Sequence, residues 1–161
     1  MRIIAIDPGY GRIGIAVLEK KESLKEKIIF SECLTTDIKK DINNRIFEVG
    51  KRVDFLIKKH KVNYLIIEGL FFSKNTKTAL FVAEARGVII FQAINNNIPV
   101  HEYTPNQIKV AVAGNGSANK KDIFSMLPYL VEIDDRKRID DELDAIAIGL
   151  TFFASFKKNE Y

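Results

Sequence analysis

Four acidic residues stand where carboxylates can do chemistry together. Asp7 ends a short apolar run, 2–6, at the turn signal Asp7-Pro8-Gly9. Glu68 ends the continuous apolar run 64–67, the most buried-looking strand, and is followed by Gly69, in a place where a turn residue would not ordinarily be Glu. Asp141 and Asp144 are three residues apart and so share one face of an expected helix. Taken singly, most of these have plainer explanations. Asp-Pro-Gly is a common turn, and acids favour helix N-termini through capping and the helix dipole. Taken together they say more. Asp7 and Glu68 can share one edge of a sheet, which is where open α/β sheets carry their sites, and the last helix can lay Asp141 and Asp144 across that edge. Four carboxylates so close cannot all stay ionised without a cation. All-oxygen donors suit hard ions, Mg²⁺ first and Mn²⁺ as a plausible substitute. Two such ions about 3.5–4 Å apart would activate a water against a phosphodiester. His60 and His101, the only histidines, are expected in surface or packing roles.

Cationic and aromatic residues supply a second set of candidates. Gly114-Asn115-Gly116-Ser117 leads through Asn119 into a helix with Lys120 and Lys121 just inside it. Free amides and the helix dipole make that a phosphate seat, and an ordinary capped loop explains the local pattern equally well. Lys51, Arg52, Lys58, Lys59 and Lys61 read as a solvated helix face. Phe71 and Phe72 lie in the loop after Glu68. Two adjacent large rings are hard to bury from one loop, so Phe72 is expected to pack inward and Phe71 to point out. The net charge is +4 and the pI about 9.1, a weak signal in itself. With four carboxylates gathered in one site, the remaining surface is more basic than the total suggests, which suits a phosphate-rich partner.

The elements that must position these groups follow from periodicity. Runs 2–6, 13–17 and 28–35 read as three strands of an antiparallel meander. Segment 43–60 has helical spacing, with Ile46, Val49, Val53, Leu56 and Ile57 on one face. Run 63–67 is a strand covered on both faces. A helix over 77–96 follows, then a short strand, 99–103. Thr104 caps a helix over 104–112, with Pro105 at its first position. A helix over 119–130 is expected to bend or end at Pro128. A last helix runs from Asp140 or Asp141 to about 156. The order predicts an α/β fold with a five-stranded mixed sheet flanked by helices, which is the ribonuclease H-like arrangement. The helix over 77–96 is apolar almost all round, so part of it, with Phe81 or Val88, is expected to pack against a second copy across a two-fold axis.

At 161 residues the chain is expected to form one domain, 1–161. The single cysteine, Cys33, excludes an internal disulfide and any cysteine-based metal cluster, and fits a cytoplasmic setting. The first apolar run is too short for a signal peptide. The longest apolar stretch, 79–94, carries Glu84, Arg86 and Gln92 and falls short of the roughly 20 apolar residues of a membrane span, so no membrane is expected.

Over nearly its whole length the chain resembles the RuvC family of Holliday junction resolvases. The resemblance rests on Ile6-Asp7-Pro8-Gly9, Ile67-Glu68 through Phe71 to Lys74-Asn75, Ala85-Arg86-Gly87-Val88, Glu102-Tyr103, Gln107-Ile108-Lys109, Gly114 to Ala118 with Lys120, and 141–148. It implies that the family's acidic quartet is Asp7, Glu68, Asp141 and Asp144. Its base-stacking phenylalanine falls on Phe71, and its phosphate-contacting lysines on Lys109 and Lys120. It further implies a homodimer that binds four-way junction DNA, cuts two opposed strands symmetrically with two metal ions per site, and works beside a branch-migration motor of the RuvA and RuvB type. Gly69 departs from the family pattern, which has Gln there. Two other readings fit parts of the pattern. An actin-like ATPase also starts with a strand, Asp, Gly and a hairpin, but needs two such domains. A non-catalytic DNA-binding dimer gains nothing from an acidic cluster facing phosphate.

Overall fold

The computed structural model describes residues 1–9, 11–21, 24–69 and 76–156. Strands β1 (Arg2–Asp7), β2 (Arg12–Glu19) and β3 (Glu26–Thr35) form the expected antiparallel meander. Helix α1 (Ile42–His60) leads to β4 (Tyr64–Glu68), which lies parallel to β1. Helix α2 (Thr76–Asn95) leads to β5 (Val100–Tyr103), parallel to β4. Helices α3 (Pro105–Ala113) and α4 (Lys120–Leu130), the two-residue strand β6 (Val131–Glu132) and helix α5 (Asp140–Ser155) complete the chain.

The sheet order is β5-β4-β1-β2-β3-β6. The fold is the ribonuclease H-like one, with a sixth strand added to the five read from sequence. That strand runs straight out of α4 and pairs with Glu26 and Lys27 of β3. Two residues are too few for a period-2 pattern to register. Pro128 neither ends nor prevents α4, which continues to Leu130. It sits so near the C-terminus that its missing N–H disturbs only the last turn.

Alternation along β1 divides the core. Ile4 and Ile6 face α1 and α2 together with Ile13, Ile15, Val49, Val53, Leu56 and Ile89. Ile3 and Ala5 face α5, α3 and α4 together with Ala16, Leu18, Ile108, Leu127 and Ile146. His60 lies against Phe30, and His101 against Tyr64 and Phe152, so both histidines are packing residues.

Helix α2 departs from expectation in its detail. Among the described residues it is the one helix long and apolar enough to cross a membrane by length and composition. Yet Phe81, Ala85, Ile89 and Ala93 form a buried stripe at intervals of four, as in a core helix. Phe81, one of the two residues expected at a partner copy, is instead buried in its own chain, under the Arg45 guanidinium at 4.2 Å. The apolar side chains left outside are Leu80, Phe91 and Ile94, which are 65%, 62% and 60% exposed.

Helix α5 crosses the sheet at very short range. A Cβ on Gly14 of β2 would lie 1.9 Å from the carbonyl oxygen of Asp141, and one on Gly149 would meet Leu18 at 2.8 Å and Ala5 at 3.2 Å. Small residues on both elements are what let the first turn of α5 reach the ends of β1 and β2. Gly14→Ala is therefore expected to push that turn outward. Overpacking of this kind costs about 1–3 kcal/mol, or roughly 2–4 °C in melting temperature per kcal/mol at this size. Calorimetry checks it, and an unchanged melting temperature would refute the close contact.

Candidate active site

Asp7 and Glu68 are the last residues of adjacent parallel strands whose preceding residues, Ile6 and Ile67, are direct partners. Their side chains therefore leave the sheet at the same edge. Asp144, from the second turn of α5, joins them in lining a cavity of about 360 Å³. The opposite wall comes from α3 and α4 and includes Lys109, Asn119 and Lys120. Thr104 and Gln107 close a capping box at the start of α3, and Asn119 and Asp122 close another at the start of α4. Both lysines thus stand on helices with well-defined beginnings.

Asp141 sits one helical turn from Asp144, on the β2 side of the same edge, 3.6 Å from the guanidinium of Arg12. The carboxylates therefore form a row with a cation at each end, Arg12 beside Asp141 and Lys120 beside Asp144. The Lys120 ammonium bonds Asp144 at 2.7 Å and lies 3.8 Å from Asp140. Among the described residues, no three acidic, histidine or cysteine side chains are gathered into a ready cage for a metal.

Electrostatics make the acid cluster uncomfortable as it stands. Burial pushes the Asp7 carboxyl up to about 7, helped by the charges of Glu68, Asp144 and Asp141 and opposed by Lys120. Burial also raises Glu68, with Asp144 adding to it. Asp144 is raised by burial more than its bond to Lys120 lowers it. For Lys120, burial works against the charge, but the Asp144 bond and the fields of Asp140 and Asp7 outweigh it and raise its pKa. Oxygen donors that resist ionisation for want of positive charge fit a hard divalent cation, and Lys120 supplies only part of that charge.

Three of the four sequence-picked acids thus line one cavity, the fourth adjoins it, and Lys109 and Lys120 face them. Lys121 does not reach the cavity; it is exposed, and its backbone N–H donates to the Asn119 cap. Phe71 and Phe72 lie outside the described residues. Sequence reasoning missed the cations behind the carboxylates. Arg86 is paired with Glu102 and donates from Nε to the Glu68 carbonyl at 3.4 Å, so it ties α2 to the ends of β4 and β5. An arginine in so apolar a helix was the available signal. Arg12 carried none, because its place beside Asp141 exists only after the helix crosses the sheet.

A ribonuclease H-like sheet with acids at the ends of the adjacent parallel strands β1 and β4, faced by lysines across a cleft, defines a nuclease of that fold class. The family model described as crossover junction endodeoxyribonuclease RuvC matches residues 3–152. A crossover junction endodeoxyribonuclease RuvC from Brachyspira hyodysenteriae is 44% identical over 150 residues, covering 93% of this chain and 92% of that protein. The one from Petrotoga mobilis is 40% identical over 164 residues, the full length of both. The structure of Thermus thermophilus RuvC in complex with Holliday junction substrate superposes with a TM-score of 0.88 at 28% identity, covering 95% of this chain and 93% of that one. This chain belongs to the RuvC family of crossover junction endodeoxyribonucleases and is a junction-resolving endonuclease.

The raised acids give a pH signature in the metal-free protein. Below about 3.8 Asp7 is protonated whether folded or not. Between that value and about 7 the unfolded chain ionises while the folded one holds its proton, so rising pH favours unfolding; above about 7 the full cost persists. With chelator present, the Asp7 contribution is expected to lower the melting temperature between about pH 4 and about pH 7 and to level off above that. Asp7→Asn should flatten that fall and melt higher than the parent at about pH 8. Scanning calorimetry at several pH values checks this, and a metal-free Asp7→Asn variant that melts lower at the alkaline end contradicts it.

Proposed function

We propose that residues 1–161 act as a single ribonuclease H-like domain, paired with a second copy, that cuts one strand in each of two opposed arms of a four-way junction. Asp7, Glu68, Asp141 and Asp144 would hold two divalent cations, Mg²⁺ in the cell with Mn²⁺ a substitute. Those cations would supply the activated water and the stabilisation of the leaving oxygen. The observation that carries the reading is the half-buried carboxyl cluster, with Asp7 raised to about 7, facing lysines across one cavity.

The chain's own residues would do the rest. Lys109 and Lys120 hold backbone phosphates at the mouth of the cleft, and Lys121 extends that basic edge. Lys120, bonded to Asp144 at 2.7 Å, would be available to a phosphate wherever a bound cation supplied the positive charge at Asp144. Phe71, three residues after Glu68 in sequence, stacks on a base at the opened crossover, a contact worth roughly 1–3 kcal/mol. Leu80, Phe91 and Ile94 form the apolar face that joins the two copies. The two sites, related by the two-fold axis, then match the symmetry of the junction. The protein works in the cytoplasm beside a branch-migration motor of the RuvA and RuvB type.

Cleavage of a synthetic four-way junction with added Mg²⁺ is the direct test. Asp7→Asn, Glu68→Gln, Asp141→Asn and Asp144→Asn should each abolish cleavage and leave junction binding intact, because binding rests on basic groups and shape. Near-normal turnover by Asp7→Asn or Glu68→Gln would falsify the two-metal reading. Lys109→Ala should weaken binding and lower the slope of log affinity against log salt by about one unit. An unchanged slope returns Lys109 to the solvated surface.

Association has its own readout. Leu80→Lys combined with Ile94→Glu should give a monomeric mass by sedimentation at micromolar concentration. The same variant should turn paired cuts on a cruciform plasmid into isolated nicks. A dimeric mass for this variant moves the interface elsewhere.

A further inference from the structure

Glu142 lies in sequence between two of the proposed metal ligands, Asp141 and Asp144, yet it takes no part in the cleft. It is 5% exposed and points toward β3, where its Oε2 accepts from Ser31 Oγ at 2.8 Å and from Arg136 Nη2 at 2.6 Å. Arg136 Nη2 also donates to Ser31 Oγ at 2.6 Å and to the Ser31 carbonyl at 3.2 Å. Arg138 adds a bond from its Nε to Ser31 Oγ at 3.1 Å, and its own side chain, 5% exposed, is held by Asp134 at 2.7 Å. One hydroxyl, one carboxylate and two guanidinium groups thus knot β3, the segment 133–139 and the first turn of α5.

The other polar contacts at the start of α5 are chiefly ion pairs of the proposed ligands themselves, Asp141 with Arg12 at 3.6 Å and Asp144 with Lys120 at 2.7 Å, both made by cations more than half exposed. The N-cap residue of α5 is Ile139, whose side chain caps nothing. The Gly14 contact limits how near the turn comes to β2, but a limit on approach does not stop the turn from sliding or rotating. Glu142 is buried while the Arg136 side chain is 46% exposed, so the pair contributes little net stability, whereas a buried carboxylate with fixed hydrogen-bond partners can specify a unique arrangement. A specified arrangement is what the site needs at this point. Asp141 and Asp144 come from a helix, Asp7 and Glu68 from strands, and a displacement of about 1 Å in such a constellation can cost about 100-fold in rate.

We propose that Glu142, Arg136 and Ser31 form a positioning knot that sets the register of the first turn of α5 and so places Asp141 and Asp144 opposite Asp7 and Glu68. This rests on the two-metal reading above. The knot touches neither substrate nor cation and acts only through the aspartates it holds in place.

Three measurements on Glu142→Gln test it: junction affinity without metal, single-turnover cleavage against Mg²⁺ concentration, and the rise in melting temperature that Mg²⁺ induces. Junction affinity should stay within about twofold, since the DNA-facing lysines are on α3 and α4. Cleavage at saturating Mg²⁺ should drop on the order of 10- to 100-fold. The Mg²⁺ needed for half-maximal rate should rise several-fold, and the Mg²⁺-induced rise in melting temperature should shrink. Arg136→Lys should recover much of what Arg136→Ala loses. Leu127→Ala, a core truncation on α4 that removes none of the knot's hydrogen bonds, should lower the melting temperature and leave the Mg²⁺ requirement unchanged. If Glu142→Gln does not fold, Ser31→Ala, which removes the shared hydroxyl, carries the same measurements. Parental rate and parental Mg²⁺ requirement per folded molecule would overturn the proposal. Failure of the underlying reading looks different, because cleavage by the unaltered protein would then not depend on Mg²⁺ at all.

Discussion

The cost of holding like charges together at one sheet edge is the constraint on which the rest of this molecule turns. Asp7 and Glu68 end neighbouring strands, and Asp144 is laid over them by α5. Burial raises all three, with neighbouring acids adding to it, Asp7 to about 7. No fold would assemble such a group for stability. It persists because the sheet and helix that carry it are stabilised elsewhere, by two dense apolar cores, and because cations compensate it at both ends of the row.

That arrangement depends on how near α5 can come to the strands. Gly14, Ala5, Ala16 and Gly149 leave no bulk between helix and sheet. The first turn of α5 therefore lies against β2, and the acids of α5 come within electrostatic reach of Asp7. Tight packing supplies proximity, and the hydrogen bonds of buried Glu142 with Ser31 and with the half-exposed Arg136 supply direction. Both are needed because dispersion contacts hold a helix on a sheet without choosing its register, whereas a hydrogen-bonded ion pair has one good geometry.

The two faces of the sheet serve different ends. The α3, α4 and α5 face builds the acid-lined candidate cleft and its basic wall. The α1 and α2 face closes its own core and leaves Leu80, Phe91 and Ile94 outside it. Arg86 links the two halves, reaching from α2 to the backbone of Glu68 and to Glu102. Whatever is seated on the outer face of α2 is therefore mechanically connected to the strand end that carries a proposed ligand.

The linear sequence by itself determined the element order, the strand ends at Asp7 and Glu68, and the grouping of Asp141 with Asp144. These follow from periods of two and 3.6 residues and from local turn and cap chemistry, all carried within a few adjacent residues. It also carried the lysines on the facing helices, through a resemblance that covers nearly the whole chain. Only the tertiary structure decided that Phe81 is an interior residue while Leu80, Phe91 and Ile94 are not. An all-apolar helix has no periodicity from which to read its buried side. Only it placed Arg12 beside Asp141, added β6 to the sheet, and turned Glu142 away from the acids on either side of it. Each of those outcomes is a contact between residues far apart in the chain. Its free energy depends on burial and direction in three dimensions, which no local pattern of residues encodes.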